Sequence, residues 1–196
     1  ADSSTGKFER HAAGDTAGVL GVHAVDLKAL WLKDRGLVSH AIADPRMRRF
    51  FNEAVAGKAR PTHSKVAALT CDGVPVALEV SFSCKGRLAM HVIVYNLAYE
   101  KSGAGVLLLE QSSKDGYAER LSIYDMLAPG DNYKMDWSDA SVEVLDWSRP
   151  LTLAGQTYAR LYLGWVRPRM KAAIEAMPQT LRKFVSTSRA NTVAID

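Results

Sequence analysis

Apolar residues along this chain recur first at helical spacing, then at strand spacing, then at helical spacing again. After a short strand over residues 7–11, Asp15 or Thr16 can cap a helix that Gly36 ends. In it Val19, Leu20, Val22, His23, Leu27, Leu30 and Trp31 fall three or four apart and form the predicted buried stripe. Asp44-Pro45 is a favourable N-cap and first-turn pair for a second helix running through Met47, Phe50, Phe51, Ala54 and Val55 to Gly57. Polar residues 58–64 read as a connector within the domain.

Three strands follow, over residues 65–71, 74–82 and 87–95, joined by Asp72-Gly73 and Lys85-Gly86, dipeptides suited to tight hairpins. In the middle strand Val76, Leu78, Val80 and Phe82 alternate with Ala77, Glu79 and Ser81, so Glu79 is expected on the face away from that apolar row. A leucine-rich helix from 104 to 115, stopping at Gly116, and a strand over 120–125 make a strand-helix-strand crossover. A further strand is expected over 141–147. A helix follows from 152, carrying Leu153, Leu161, Tyr162, Trp165, Met170 and Ile174 and kinked at Pro168, and then a last short helix after Pro178. The order predicts an α+β fold whose mixed central sheet has helices on both faces.

Length and composition fit one domain. With 196 residues, 47% hydrophobic and 23% charged, the chain can bury one substantial core, here about 7–150, followed by a basic helical segment over 152–190. No run approaches the roughly 18 apolar residues of a membrane span, and Asp2, Glu9, Arg10 and Asp15 break up the region where a signal peptide would be apolar, so a cytoplasmic location is expected. Cys71 and Cys84, on neighbouring strands, read as a buried reduced pair rather than a disulfide, and no Cys or His spacing suggests a metal site. The start at Ala1 suggests a processed chain or a fragment. Much of the +4 net charge lies in the C-terminal segment, where Arg160, Arg167, Arg169, Lys171, Arg182, Lys183 and Arg189 face one acid, Glu175. That segment is a solvated helix face, a patch for a polyanion such as tRNA, or a contact with acidic lipid.

Candidate chemistry gathers around two runs. In Lys101-Ser102-Gly103-Ala104-Gly105-Val106 the glycines permit a tight turn into a helix, and a helix N-terminus free of bulky side chains offers N–H groups to a phosphate. The plainer reading is a turn and nothing more. Asp125 ends the next strand and could act as a base or cap the loop after it. Lys134 could bind phosphate or donate to an oxyanion, and Tyr124 and Tyr133 are candidate proton donors. His91, with Glu79 expected across from it, could form a Glu-His general base; alternatively it is a satisfied structural histidine. No Gly-x-Ser-x-Gly elbow, Walker loop or zinc signature supports hydrolase, NTPase or metalloenzyme chemistry.

Tyr95, Tyr99, Gly105, Leu107, Leu108 and Leu109, followed by Asp125, Gly130, Tyr133, Lys134 and Trp137, resemble the GNAT acyltransferase superfamily. Within it they are similar to the branch of CelD-type acetyltransferases and Fem aminoacyl transferases. Trp31 to Gly36 and Phe50-Phe51 also look like that branch, so the resemblance covers about 25–180; Gly103 and Ala104 stand where it usually has Ser and Pro. The resemblance implies a GNAT-like fold and transfer of an acetyl group from acetyl-CoA, or another acyl-CoA, to a small-molecule or glycan amine in polysaccharide or cell-wall biosynthesis. It places Tyr95 and residues 101–106 at the carrier and Asp125, Tyr133 and Lys134 at the chemistry, to which the strand pattern adds His91 and Glu79 as candidates. Two alternatives stay open. One is a Fem-like, aminoacyl-tRNA-dependent transferase; the other is a non-catalytic GNAT-fold interaction domain, the C-terminal half of a tandem protein or one copy of a homodimer.

Overall fold

The computed structural model describes residues 6–37, 39–57, 63–145 and 147–178, with the side chains of His40 and Glu175 outside that description. The chain divides into two units, one of Ala1–Asp34 with Val38–Gly130 and one of Arg35–Leu37 with Asp131–Asp196.

In the first unit the strands β1 (Gly6–Ala12), β2 (His63–Cys71), β3 (Val74–Cys84), β4 (Arg87–Tyr95) and β5 (Ile123–Asp125) form one sheet in the order β1-β2-β3-β4-β5. The first four pair antiparallel, and β5 pairs parallel to β4. The hairpins turn as the dipeptides predicted: Asp72 and Gly73 have φ of 51° and 80°, Lys85 and Gly86 51° and 77°. Helix α1 (Asp15–Asp34), the single turn α2 (His40–Ala43) and α3 (Pro45–Ala56) precede the meander, and a 3₁₀ segment (Leu97–Ser102) leads from β4 into α4 (Ala104–Ala118). Asp44 caps α3 by accepting the Arg46 N–H at 2.9 Å.

One face of the sheet presents Val66, Ala68, Leu78, Val80, Val92 and Val94 to Ala17, Ala24 and Val25 of α1 and to Phe51 and Val55 of α3. The other presents Ala67, Leu69, Val76 and Ala77 to Ala104 and Leu108 of α4, with Met90, Leu109 and Met126 beside them. The predicted row on β3 is therefore split. Val76 lies on the α4 face because a bulge between Leu69 and Thr70 places two β3 residues against one and shifts the alternation.

The buried stripe of α1 also differs from the expected one. Val19 and Leu30 are exposed, His23 faces solvent, and the buried residues are Ala17, Gly18, Gly21, Ala24 and Val25. Small residues are selected there because α3 approaches closely: a Cβ built on Gly18 would stand 2.9 Å from the Ala56 Cβ and from the Asn52 Oδ1. Gly18→Val is accordingly expected to destabilise the fold by about 2 kcal/mol, since overpacking outweighs the gain in helix propensity. Urea denaturation checks this, and an unchanged midpoint would refute it.

The two cysteines lie at opposite ends of β3, Cys71 at the β2–β3 turn and Cys84 at the β3–β4 turn, and both are free and only partly buried. They are reduced, as expected, but neither is fully buried. The strand predicted over 120–125 is shortened to its last three residues, because Arg120 at φ 59° and Leu121 close the end of α4.

In the second unit the segment around Lys134 is a short helix, α5 (Asn132–Trp137). The strand expected over 141–147 does not form among the described residues of that segment; apolar, β-prone residues make a strand only where a neighbour supplies hydrogen bonds. Helix α6 (Leu153–Thr157) continues through Tyr158–Val166, which includes an i→i+5 bond from the Arg167 N–H to the Tyr162 carbonyl, into α7 (Arg167–Ala176). Pro168 lies inside this continuous run, directly after the i→i+5 turn, and as a proline it has no N–H to give to the preceding turn. The short helix expected after Pro178 lies outside the described residues. No helix among them is long and apolar enough to cross a membrane.

Candidate functional site

Strand β5 runs beside β4 for three residues only, with Arg87, Leu88 and Ala89 opposite Ile123, Tyr124 and Asp125. Strand β4 continues to Tyr95 paired only with β3, a length of roughly 20 Å at strand rise. The sheet thus opens at Ala89, leaving one edge of β4 without a strand.

Just past the opening, a second bulge skips His91: Val80 lies opposite Val92, and Ser81 opposite Met90. The backbone of His91 has no register partner on either neighbouring strand. The bulge also turns its side chain onto the α1/α3 face, where the ring packs edge-on against Phe82 at 5.1 Å. Partial burial lowers the His91 pKa below the usual imidazole value, opposed by the charge of Asp125. Further along the edge, Lys28 of α1 donates to the Ile93 carbonyl at 3.4 Å.

Glu79 does not meet His91. It pairs across β4 with Ile93 and is fully buried on the opposite face, so the expected Glu-His base is not formed. Its carboxylate accepts from the Ser81 hydroxyl and, at 2.7 Å, from the Tyr124 hydroxyl, which reaches from β5 beneath β4 and lies 3.7 Å from the Met90 sulfur. Burial, and then the charge of Glu79, push the Tyr124 phenol far above its ordinary value. That hydroxyl keeps its proton and commits its hydrogen bond to Glu79.

The network extends through Arg10 of β1, whose Nη2 donates to the Ser112 hydroxyl at 2.7 Å and to the Ser112 carbonyl at 3.2 Å. Its Nε stands 2.5 Å from Asp115 Oδ2 as an ion pair without hydrogen-bond alignment. Residues from β1, β3, β5 and α4 meet here, and nothing in their local spacing announces it. Tyr124→Phe is expected to lower stability by about 1–3 kcal/mol, because it strips a donor from a buried carboxylate. A urea midpoint equal to that of the parent protein would contradict this.

Asp125 faces the other way. Its carboxylate accepts from Arg87 Nε at 3.0 Å and from Arg87 Nη2, and from the Leu127 N–H at 2.8 Å. Of its two sequence readings, the geometry forms the loop cap. Tyr124 and Asp125, adjacent in sequence, thus fasten β5 from opposite faces.

The open edge of β4 ends at the glycine turn. Gly103 sits at φ +70°, a left-handed conformation that a side chain would strain, and it precedes α4 with no side-chain cap. The first bond of the helix is from the Leu107 N–H to the Gly103 carbonyl at 3.0 Å, so the N–H groups of residues 104–106 have no intrahelical partner. A Cβ on Gly105 would come within 3.0 Å of the Tyr95 ring, whose hydroxyl donates to Glu100 at 3.2 Å. Ser102 donates to the Tyr99 carbonyl at 2.7 Å, Lys101 and Val106 are exposed, and Ala104 is buried. Tyr95 and residues 101–106 are therefore brought to one place, as the sequence predicted.

Tyr133 and Lys134 belong to the second unit. Burial, and then the charge of Asp131, push the Tyr133 phenol up to about 12, and Lys134 Nζ lies 3.7 Å from Asp131 Oδ2. No group of three or more His, Cys, Asp or Glu side chains able to hold a metal gathers among the described residues.

The family model described as an acetyltransferase (GNAT) domain matches residues 3–135. A search of curated proteins gave no match. Among solved structures, a possible acetyltransferase from Clostridium difficile 630 superimposes with TM-score 0.53 at 9% identity, over 72% of this chain and 97% of that one. An aminoglycoside acetyltransferase, meta-AAC0020 from an uncultured soil metagenomic sample, in complex with sisomicin, gives 0.51 at 12% identity over 75% and 97%. The aminoglycoside N-acetyltransferase AAC(6')-Iy in complex with CoA gives 0.50 at 11% identity over 76% and 97%. At these identities the likeness is one of fold: the mixed five-stranded sheet with helices on both faces.

Proposed function

The chain belongs to the acetyltransferase (GNAT) domain family, and from that premise we propose that it moves an acetyl group from acetyl-CoA to an amine by direct attack in a ternary complex. The observation that carries this reading is the open edge of β4, which runs from the end of β5 to the uncapped N-terminus of α4. An extended thioester arm would add to that edge as a strand does, while the pyrophosphate takes the N–H groups of residues 104–106 with Lys101 nearby. Tyr95, Tyr99, Gly105 and the leucines after it support the CelD-like branch.

At the other end of the edge lies His91. Its lowered pKa keeps the imidazole neutral near pH 7, whereas Asp125 is occupied by Arg87 and the Leu127 N–H. His91 takes a proton from the acceptor amine as its nitrogen attacks the thioester carbon. The resulting oxyanion is held by backbone N–H on the unpaired stretch of β4. The C–S bond then breaks, and the proton passes from the imidazolium to the departing thiolate. Tyr133 and Lys134 are not used in this scheme.

The test is a melting titration with acetyl-CoA, coupled to a thiol-release assay over a panel of amines that includes aminoglycosides. At 100 times its dissociation constant acetyl-CoA should stabilise the fold by about 2.7 kcal/mol. A melting temperature that does not move at millimolar acetyl-CoA would overturn the reading.

A further inference from the structure

The helical run from Leu153 to Ala176 carries its large side chains in the open. Leu161 is 60% and Trp165 57% exposed, and Tyr158, Tyr162, Met170 and Ile174 are exposed as well. They share a face. The rings of Tyr158 and Tyr162 stack at 5.0 Å, and the Arg169 guanidinium lies 4.3 Å over the Trp165 ring, so side chains four apart lie together along this stretch. A helix with this many large apolar and aromatic side chains exposed implies a partner.

Charge says which. Between residues 153 and 176 the sequence has Arg160, Arg167, Arg169 and Lys171 against Glu175 alone, and Arg182, Lys183 and Arg189 follow. Such a helix repels its own copy, so a homodimer through this face is disfavoured. A nucleic acid would use the cations, but it has no use for Leu161, Met170 and Ile174. An anionic bilayer uses both: aliphatic side chains enter the acyl boundary, Trp and Tyr sit at headgroup level, and Arg and Lys extend along the apolar surface to the phosphates. The helix is too polar and too exposed in its charges to span. We propose that the helix Leu153–Ala176 is an interfacial docking element that lies on anionic lipid, bringing the protein to acceptors at a membrane surface.

Co-sedimentation of the full chain with vesicles of phosphatidylglycerol and phosphatidylcholine tests this, with vesicles of phosphatidylcholine alone as control. Binding is expected to the anionic vesicles, to fall at least tenfold on neutral ones, and to weaken as added salt shortens the screening length. Two double variants separate the components. Leu161→Gln with Trp165→Ser removes the apolar part and Arg167→Glu with Arg169→Glu the charged part; each should lower vesicle binding at least tenfold. Melting curves superimposable on that of the parent chain verify that both variants are folded. The proposal is overturned if the chain binds bulk tRNA but not vesicles, if it sediments with neither, or if folded Leu161→Gln, Trp165→Ser binds vesicles as the parent does.

Discussion

Gly105→Val is expected to abolish stabilisation by acetyl-CoA while leaving a cooperatively folding protein. Gly105 occupies the first turn of α4, facing Tyr95 at the end of β4, and even one added carbon would come within 3.0 Å of the ring. Valine must displace Tyr95 and then stand where the phosphate needs an unobstructed approach to the backbone. The loss should therefore be most of the about 2.7 kcal/mol that the parent gains at 100 times its dissociation constant, a difference of several degrees in melting temperature. The turn itself needs no glycine at 105 for conformational reasons; that requirement falls on Gly103, at φ +70°. A folded Gly105→Val protein that still responds to acetyl-CoA would remove the carrier from this turn. Gly105→Ala provides the intermediate case, with a smaller ring displacement and partial binding.

His91→Ala should lower kcat about 10²–10⁴-fold with little change in acetyl-CoA affinity, because in the proposed scheme the group acts on the amine proton and not on the carrier. The pH profile gives the sharper readout. Partial burial lowers the pKa of His91, so the neutral base persists below the usual imidazole range. The acid limb of kcat/KM should then fall away only under about pH 6.5, and it should vanish in the alanine variant. A limb unchanged in position in His91→Ala would assign the base elsewhere. Because Asp125 acts on His91 in the opposite sense, Asp125→Asn should move the limb to still lower pH.

Much of the framework could be read from the chain. Asp44-Pro45 started α3 where expected, Asp72-Gly73 and Lys85-Gly86 set the hairpins, and the glycines at 103 and 105 marked the turn. What escaped was whatever depended on pairing. Counting by twos assigned Val76 to the wrong face and placed His91 opposite Glu79, because neither bulge has a local signal in residue type. In α1 Leu20, Leu27 and Trp31 pack against the core as expected, but the fully buried positions go to small residues because α3 crosses closely there. Residues 141–147 are rich in strand-favouring Val142, Val144, Leu145 and Trp147, but residue type says nothing about whether a neighbour is present. The Arg10-Ser112-Tyr124-Glu79 network joins positions more than a hundred residues apart, and only the folded sheet assembles it.

A three-residue parallel pairing is a weak hold, yet β5 is anchored by Tyr124 to Glu79 on one side of the sheet and by Asp125 to Arg87 on the other. The gap between β4 and β5 is thus a keystone arrangement, its width set by side chains beneath and above the strands and not by the loops around its mouth. Changes in the length or composition of those loops should therefore leave the spacing of the two strands as it is, whereas loss of either anchor should loosen β5.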